Sequence, residues 1–161
     1  MVTFEQRTLP NSSPRPSRSR SMIESTGEAK LRELADLEAI RDLGRRYAHC
    51  VWQKDVPGAI ALFTDDAEMD TGDRPPIIGR ADLLKSYEEM FAANDFRPFV
   101  HNHVIEIDGN SATGTCYLDL RSVVDGKAMT GHGFYKDRYV RVDDGWKFTY
   151  RLLNMVDYGE V

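Results

Sequence analysis

Apolar residues recur along this chain in two rhythms, and the change from one to the other divides it. Between residues 28 and 54, Leu31, Leu34, Leu37, Ile40, Leu43 and Tyr47 return every three or four positions, with Arg and Glu over much of the remainder. That spacing gathers the apolar side chains into one stripe and predicts an amphipathic helix. Asp55 is placed to cap a second helix, and Pro57 falls early in it, where a missing N–H costs little. Ile60, Ala61, Leu62 and Phe63 make that helix apolar. Residues 67–71 predict a short strand, and residues 72–79, which hold Pro75 and Pro76, a loop. Leu83, Leu84, Tyr87 and Phe91 predict a third helix over about 80–94.

From about Phe96 to Asp157 the rhythm becomes that of strands. Four long stretches are separated by Asp-Gly signals at residues 108–110, 125–127 and 143–145. Each signal has hairpin spacing, so the stretches predict a four-strand antiparallel meander. Helices followed by a meander define an α+β domain with the helices on one sheet face. A long twisted sheet folded over helices encloses a cone-shaped cavity whose mouth is a natural ligand site.

Composition sets the limits of the domain. Residues 1–27 are rich in Ser, Pro and Arg and cannot bury enough apolar surface to offset ordering, so they are expected to be a disordered leader. Residues 28–157 are then one domain. The net charge is −5, although the leader carries Arg7, Arg15, Arg18 and Arg20 against Glu5 and Glu24, so the remainder is more acidic still. An acidic body excludes nucleic acid as the main partner. No run reaches the ~20 apolar residues of a membrane span, and no apolar h-region marks a secretory signal. Cys50 and Cys116 are expected as free thiols of a cytoplasmic protein.

Candidate chemistry begins in residues 99–110, a strand running into a turn. Alternation places His101, His103, Ile105 and Ile107 on one face, expected to be the buried one. Histidine titrates near neutrality and serves as general acid or base. His132 stands between Gly131 and Gly133, which leave room beside it. Tyr47 could donate to a developing oxyanion, and Asp70, if buried, could act as a base. His101, His103, His132, Tyr47 and Asp70 are therefore the candidate catalytic residues; structural hydrogen bonding is the competing role for each. Thr71, Phe99, Phe134, Trp52, Tyr87 and Leu118 are the candidate substrate-binding residues. Three imidazoles could hold a metal, but no carboxylate completes a ligand set at a matching spacing, and neither a metal nor a cofactor is expected. Trp146, Phe148 and Tyr150 share a strand face suited to the core or a dimer contact, and Arg151, of the other parity, suits a salt bridge.

The ordered run of Arg46-Tyr47, Lys54-Asp55, residues 62–67, Ile78-Gly79, His101 to His103, residues 108–112, residues 133–137 and Gly145-Trp146 to Arg151 resembles the SnoaL-like branch of the nuclear transport factor 2-like superfamily. The match covers about residues 30–155. The resemblance implies a cone of curved antiparallel sheet, a four-strand meander plus a short N-terminal strand, wrapped by three N-terminal helices. It also implies a homodimer or higher homo-oligomer through the sheet. Relatives include polyketide cyclases, scytalone dehydratase, steroid Δ5-isomerase, limonene epoxide hydrolase and dioxygenase small subunits. Tyr47 matches the oxyanion tyrosine of the steroid isomerases, while their aspartate base falls on Thr71. The Tyr-Asp pair of scytalone dehydratase falls on Val51 and Trp52, its second tyrosine on Thr71 and its histidine near His101. No complete catalytic set is carried over. The expected function is that of a pocket protein for a small apolar oxygenated molecule, such as a polyketide, aromatic ketone or steroid. It would act as a cofactor-independent isomerase, cyclase or dehydratase, or alternatively as a non-catalytic binding or oligomer-stabilising module.

Overall fold

The computed structural model describes residues 18–143 and 145–161, with side chains from residue 25 onward. The chain divides after Leu34 into two units. The first is the N-terminal part of helix α1 (Arg18–Gln53). Leu31 and Leu34, expected on the apolar stripe, are 68% and 53% exposed there. The leader expected over residues 1–27 lies outside the described residues up to 17. From Arg18 the chain is helical, because the last leader proline is Pro16 and nothing beyond it breaks the helix.

The second unit, Ala35–Val161, holds every other element. α1 stops where Lys54 takes a left-handed φ of 54°. Helix α2 (Val56–Ala61) comes next, capped by the Asp55 carboxylate, which accepts from the Gly58 amide at 3.0 Å. Phe63, expected in that helix, instead opens strand β1 (Phe63–Asp70). A two-residue strand β2 (Ile77–Ile78) lies within the expected loop. Helix α3 (Arg80–Ala93) leads to strands β3 (Asp95–Asp108), β4 (Ser111–Val124), β5 (Lys127–Val142) and β6 (Gly145–Glu160).

The six strands form one sheet in the order β2-β1-β6-β5-β4-β3. The meander is antiparallel throughout, and β1 lies parallel to β6. Three irregularities interrupt the ladders of the meander. β3 gains a residue between Val100 and His103, and β6 gains Thr149 opposite the Arg138–Tyr139 step and Val156 opposite the His132–Gly133 step. Each extra residue reverses the facing of the strand positions beyond it. Ile40, Leu43, Tyr47 and Val51 of α1 join one hydrophobic core with Phe63, Leu83, Tyr87, Leu118, Tyr135, Tyr139 and Phe148. Tyr47 sits centrally, with ring centres of Phe63, Tyr135 and Phe148 at 6.0, 5.9 and 6.0 Å. No helix among the described residues is long and apolar enough to cross a membrane.

Candidate functional site: a tyrosine-floored cavity

Between the helices and the inner face of the sheet lies a cavity of about 80 Å³. Val51, Met69, Ile77, Phe91, Phe96 and Leu120 give it apolar walls, and Tyr47, Tyr87, Tyr135, Thr71 and Arg74 contribute its polar atoms. It opens into a wider mouth of about 800 Å³, bordered by Asp73, Ser86, Glu89, Asn94 and Tyr158. Thr71, Arg74, Met90, Phe96, Leu120 and Leu153 line both.

The Tyr47 and Tyr87 hydroxyls lie 2.7 Å apart and are buried. Each hydroxyl owns one proton. One proton is consumed between them, which leaves one O–H to offer to a third oxygen. Burial raises the Tyr47 phenol and pushes Tyr87 and Tyr135 well above their ordinary range. All three remain donors rather than bases near neutrality. The Thr71 hydroxyl is bound to Asp73.

Behind the tyrosines lies a buried ionic network. Arg151 is fully buried and meets Asp137 through two hydrogen bonds, Nε to Oδ1 and Nη2 to Oδ2, each of 2.8 Å. Its guanidinium carbon lies 4.3, 4.0 and 4.1 Å from the ring centres of Tyr47, Tyr135 and Phe148, positions favourable for a cation over π faces. Tyr139 donates to the same Asp137 carboxylate at 2.9 Å, and His103 Nε2 lies 2.9 Å from the Tyr139 hydroxyl. Desolvation lowers His103 to about 4, so its imidazole is neutral at pH 7. Sequence parity had set Arg151 apart from Trp146 and Phe148. The Thr149 bulge turns it inward with them and turns Tyr150 toward the outer face, where Arg138 covers its ring at 4.4 Å.

The structure brings three expected residues, Tyr47, Tyr87 and Thr71, into one cavity and places the others elsewhere. His101 lies across the β3 bulge from His103, exposed and 3.0 Å from Asp119, and the two border a separate hollow beside α1 rather than the tyrosine-floored cavity. His103 is half-buried and faces α1 at Gly44. His132 is exposed, with Asp119 and Asp157 as its strand neighbours. Asp70 accepts from the Gly72 amide at 2.7 Å and from the Tyr150 hydroxyl at 3.4 Å. Trp52 and Phe99 pack on each other at 5.0 Å, each 37% exposed, and the Trp52 indole donates to the Pro98 carbonyl. Phe134 lies against Tyr117 at 6.1 Å, and Leu118 is buried in the core. Arg74, Tyr135 and the Arg151–Asp137 pair were absent from the expected site. Regular counting back from the turn at residues 143–145 would set Asp137 opposite Tyr150; only the Thr149 bulge brings it opposite Arg151, so the sequence carried no signal for the pair.

A curved sheet closed over by helices around a small, mostly apolar hollow is the architecture of the nuclear transport factor 2-like proteins. Within that class the SnoaL-like domain family matches residues 32–152, and the chain belongs to it. No curated protein matches the sequence. Among solved structures, a proposed aromatic ring hydroxylase from Novosphingobium aromaticivorans is 27% identical, with a TM-score of 0.74 over 80% of this chain and 94% of that one. A proposed scytalone dehydratase from the same organism is 20% identical, with a TM-score of 0.74 over 80% and 89%. A hexachlorocyclohexane dehydrochlorinase, LinA type 2, is 18% identical, with a TM-score of 0.76 over 82% and 93%. The last two likenesses are of fold.

Proposed function

We propose that the cavity receives a small apolar molecule carrying a carbonyl or hydroxyl oxygen, and that this oxygen accepts a hydrogen bond from the Tyr47–Tyr87 pair. The observation that carries this is the pair of buried phenols in an otherwise apolar hollow, which hold two protons for the one hydrogen bond between them. The inner cavity suits the oxygen-bearing end of a ligand, and the wide mouth suits the rest of it. Arg74, which lines both, would meet a second polar group. Since the inner cavity is lined by donors and apolar groups and by no carboxylate or imidazole, binding is the activity the geometry supports best.

Proton transfer of the isomerase or dehydratase kind is the second reading. It draws support from the dehydratase and dehydrochlorinase names among the fold relatives and from Asp73 and Glu89 at the mouth. In that reading the phenols polarise the oxygen and a mouth carboxylate takes the proton.

A thermal-shift screen against aromatic ketones and sterols tests the proposal. A ligand at 100 times its dissociation constant adds about 2.7 kcal/mol of stability, which such a screen registers. Hits confined to oxygen-bearing compounds support binding through the pair. Equal response to matched hydrocarbons contradicts it. Turnover of a hit that Glu89→Gln or Asp73→Asn abolishes would establish the second reading.

A further inference from the structure

A second cavity, of about 140 Å³, lies apart from the tyrosine-floored one and is lined by Arg41, Gly44, Arg45, Val100, His101, His103 and Cys116. Two arginines and no acidic residue are among its lining residues. Glu38 pairs with Arg45 at 2.7 Å and approaches Arg41 at 3.9 Å, and Asp119 pairs with His101 at 3.0 Å, but neither acid lines the hollow. Cys116 is buried, and desolvation holds it as a thiol.

The His103 ring is fixed by its neighbours. The one proton of Tyr139 is donated to Asp137, whose two carboxylate oxygens also accept from Arg151. The Tyr139 oxygen can therefore only accept from His103, so the imidazole carries its proton on Nε2. Nδ1 is left as a bare acceptor, and among the described residues nothing donates to it. It lies on the side of α1 that faces Gly44, where an added methyl group would stand 3.7 Å from Cε1 and 3.8 Å from Nδ1. Glycine inside a helix is destabilising relative to alanine, and alanine would fit here at ordinary contact distance. The missing methyl leaves the Nδ1 edge open to the cavity.

We propose that this cavity is a second binding site, for a small oxyanion that carries its own O–H: Arg41 and Arg45 take the negative oxygens, and His103 Nδ1 accepts a hydrogen bond from the O–H. Hydrogen phosphate and an α-hydroxycarboxylate share this chemistry. A fully deprotonated carboxylate satisfies the arginines and leaves Nδ1 bare. The site is independent of the ligand proposed for the tyrosine cavity.

Titration of the full chain with inorganic phosphate, glycolate, acetate and chloride at constant ionic strength, monitored by the 15N resonances of the His103 ring, tests the proposal and separates the two sources. Phosphate or glycolate is expected to shift Nδ1 with a dissociation constant of about 1 mM or tighter, and acetate and chloride to bind at least about tenfold more weakly. Gly44→Ala is expected to keep or raise the melting temperature while weakening binding about tenfold or more. Arg45→Gln, on an exposed side chain, is expected to weaken it as well, and Tyr47→Phe to leave it unchanged. An Nδ1 signal indifferent to phosphate and glycolate, an equal response to acetate or chloride, or full binding by Gly44→Ala would overturn the proposal.

Discussion

At the scale of single residues, His103 shows how burial and partners settle protonation. Its Nε2 is held by Tyr139 and its charged form is disfavoured by desolvation, which lowers it to about 4 from an unfolded value near 6.5. Between those values the unfolded chain binds a proton that the folded chain refuses. Stability therefore rises with pH through this window, is fully present above about 6.5, and is lost as pH falls toward about 4. Urea unfolding across pH 4–7 checks this. Wild type minus His103→Gln is expected to slope upward only in that window, and a flat or inverted difference would refute the neutral, half-buried imidazole. The sequence suggested a special role for this histidine and for Tyr47, Tyr87 and Thr71. It did not disclose that His101 and His132 point elsewhere, because facing depends on ladder register and not on residue type.

At the scale of elements, bulges account for the parity misreadings. Strict alternation paired His101 with His103 and set Arg151 apart from Phe148. One extra residue in β3 intervenes between the histidines and leaves His101 exposed, and Thr149 in β6 reverses the second relation. The turns were legible because Asp-Gly signals have a local cause in left-handed φ at Gly109 and Gly126. Bulges have no comparable local mark and depend on how the curved sheet meets the helices. The inward turn of Arg151 joins β5 to β6 through its buried pairing with Asp137. Removing one partner of a buried pair strands a charge and typically costs about 3–5 kcal/mol. Asp137→Ala is expected to lose that much in denaturant unfolding, and Asp137→Leu combined with Arg151→Met to recover most of it. A single-variant loss below about 1 kcal/mol would show that the pair is not what fixes β6.

At the scale of the whole molecule, the α+β class and the order of helices, short strand and meander were readable from two hydrophobic rhythms and three turns. The cavity was expected from sheet twist, but its polar content was not. Which side chains meet in a hollow depends on long-range packing of α1, α3 and the meander, and here that packing selects phenols over imidazoles. The central claim is that these phenols read an oxygen. Its most direct test is a double-difference measurement on a ketone found by screening. Binding of the ketone and of its deoxygenated analogue is compared in wild type and in Tyr87→Phe by calorimetry. A coupling of about 0.5–1.5 kcal/mol between the Tyr87 hydroxyl and the ligand oxygen is the expected result. A coupling of zero, with both ligands bound equally by both proteins, would contradict the account.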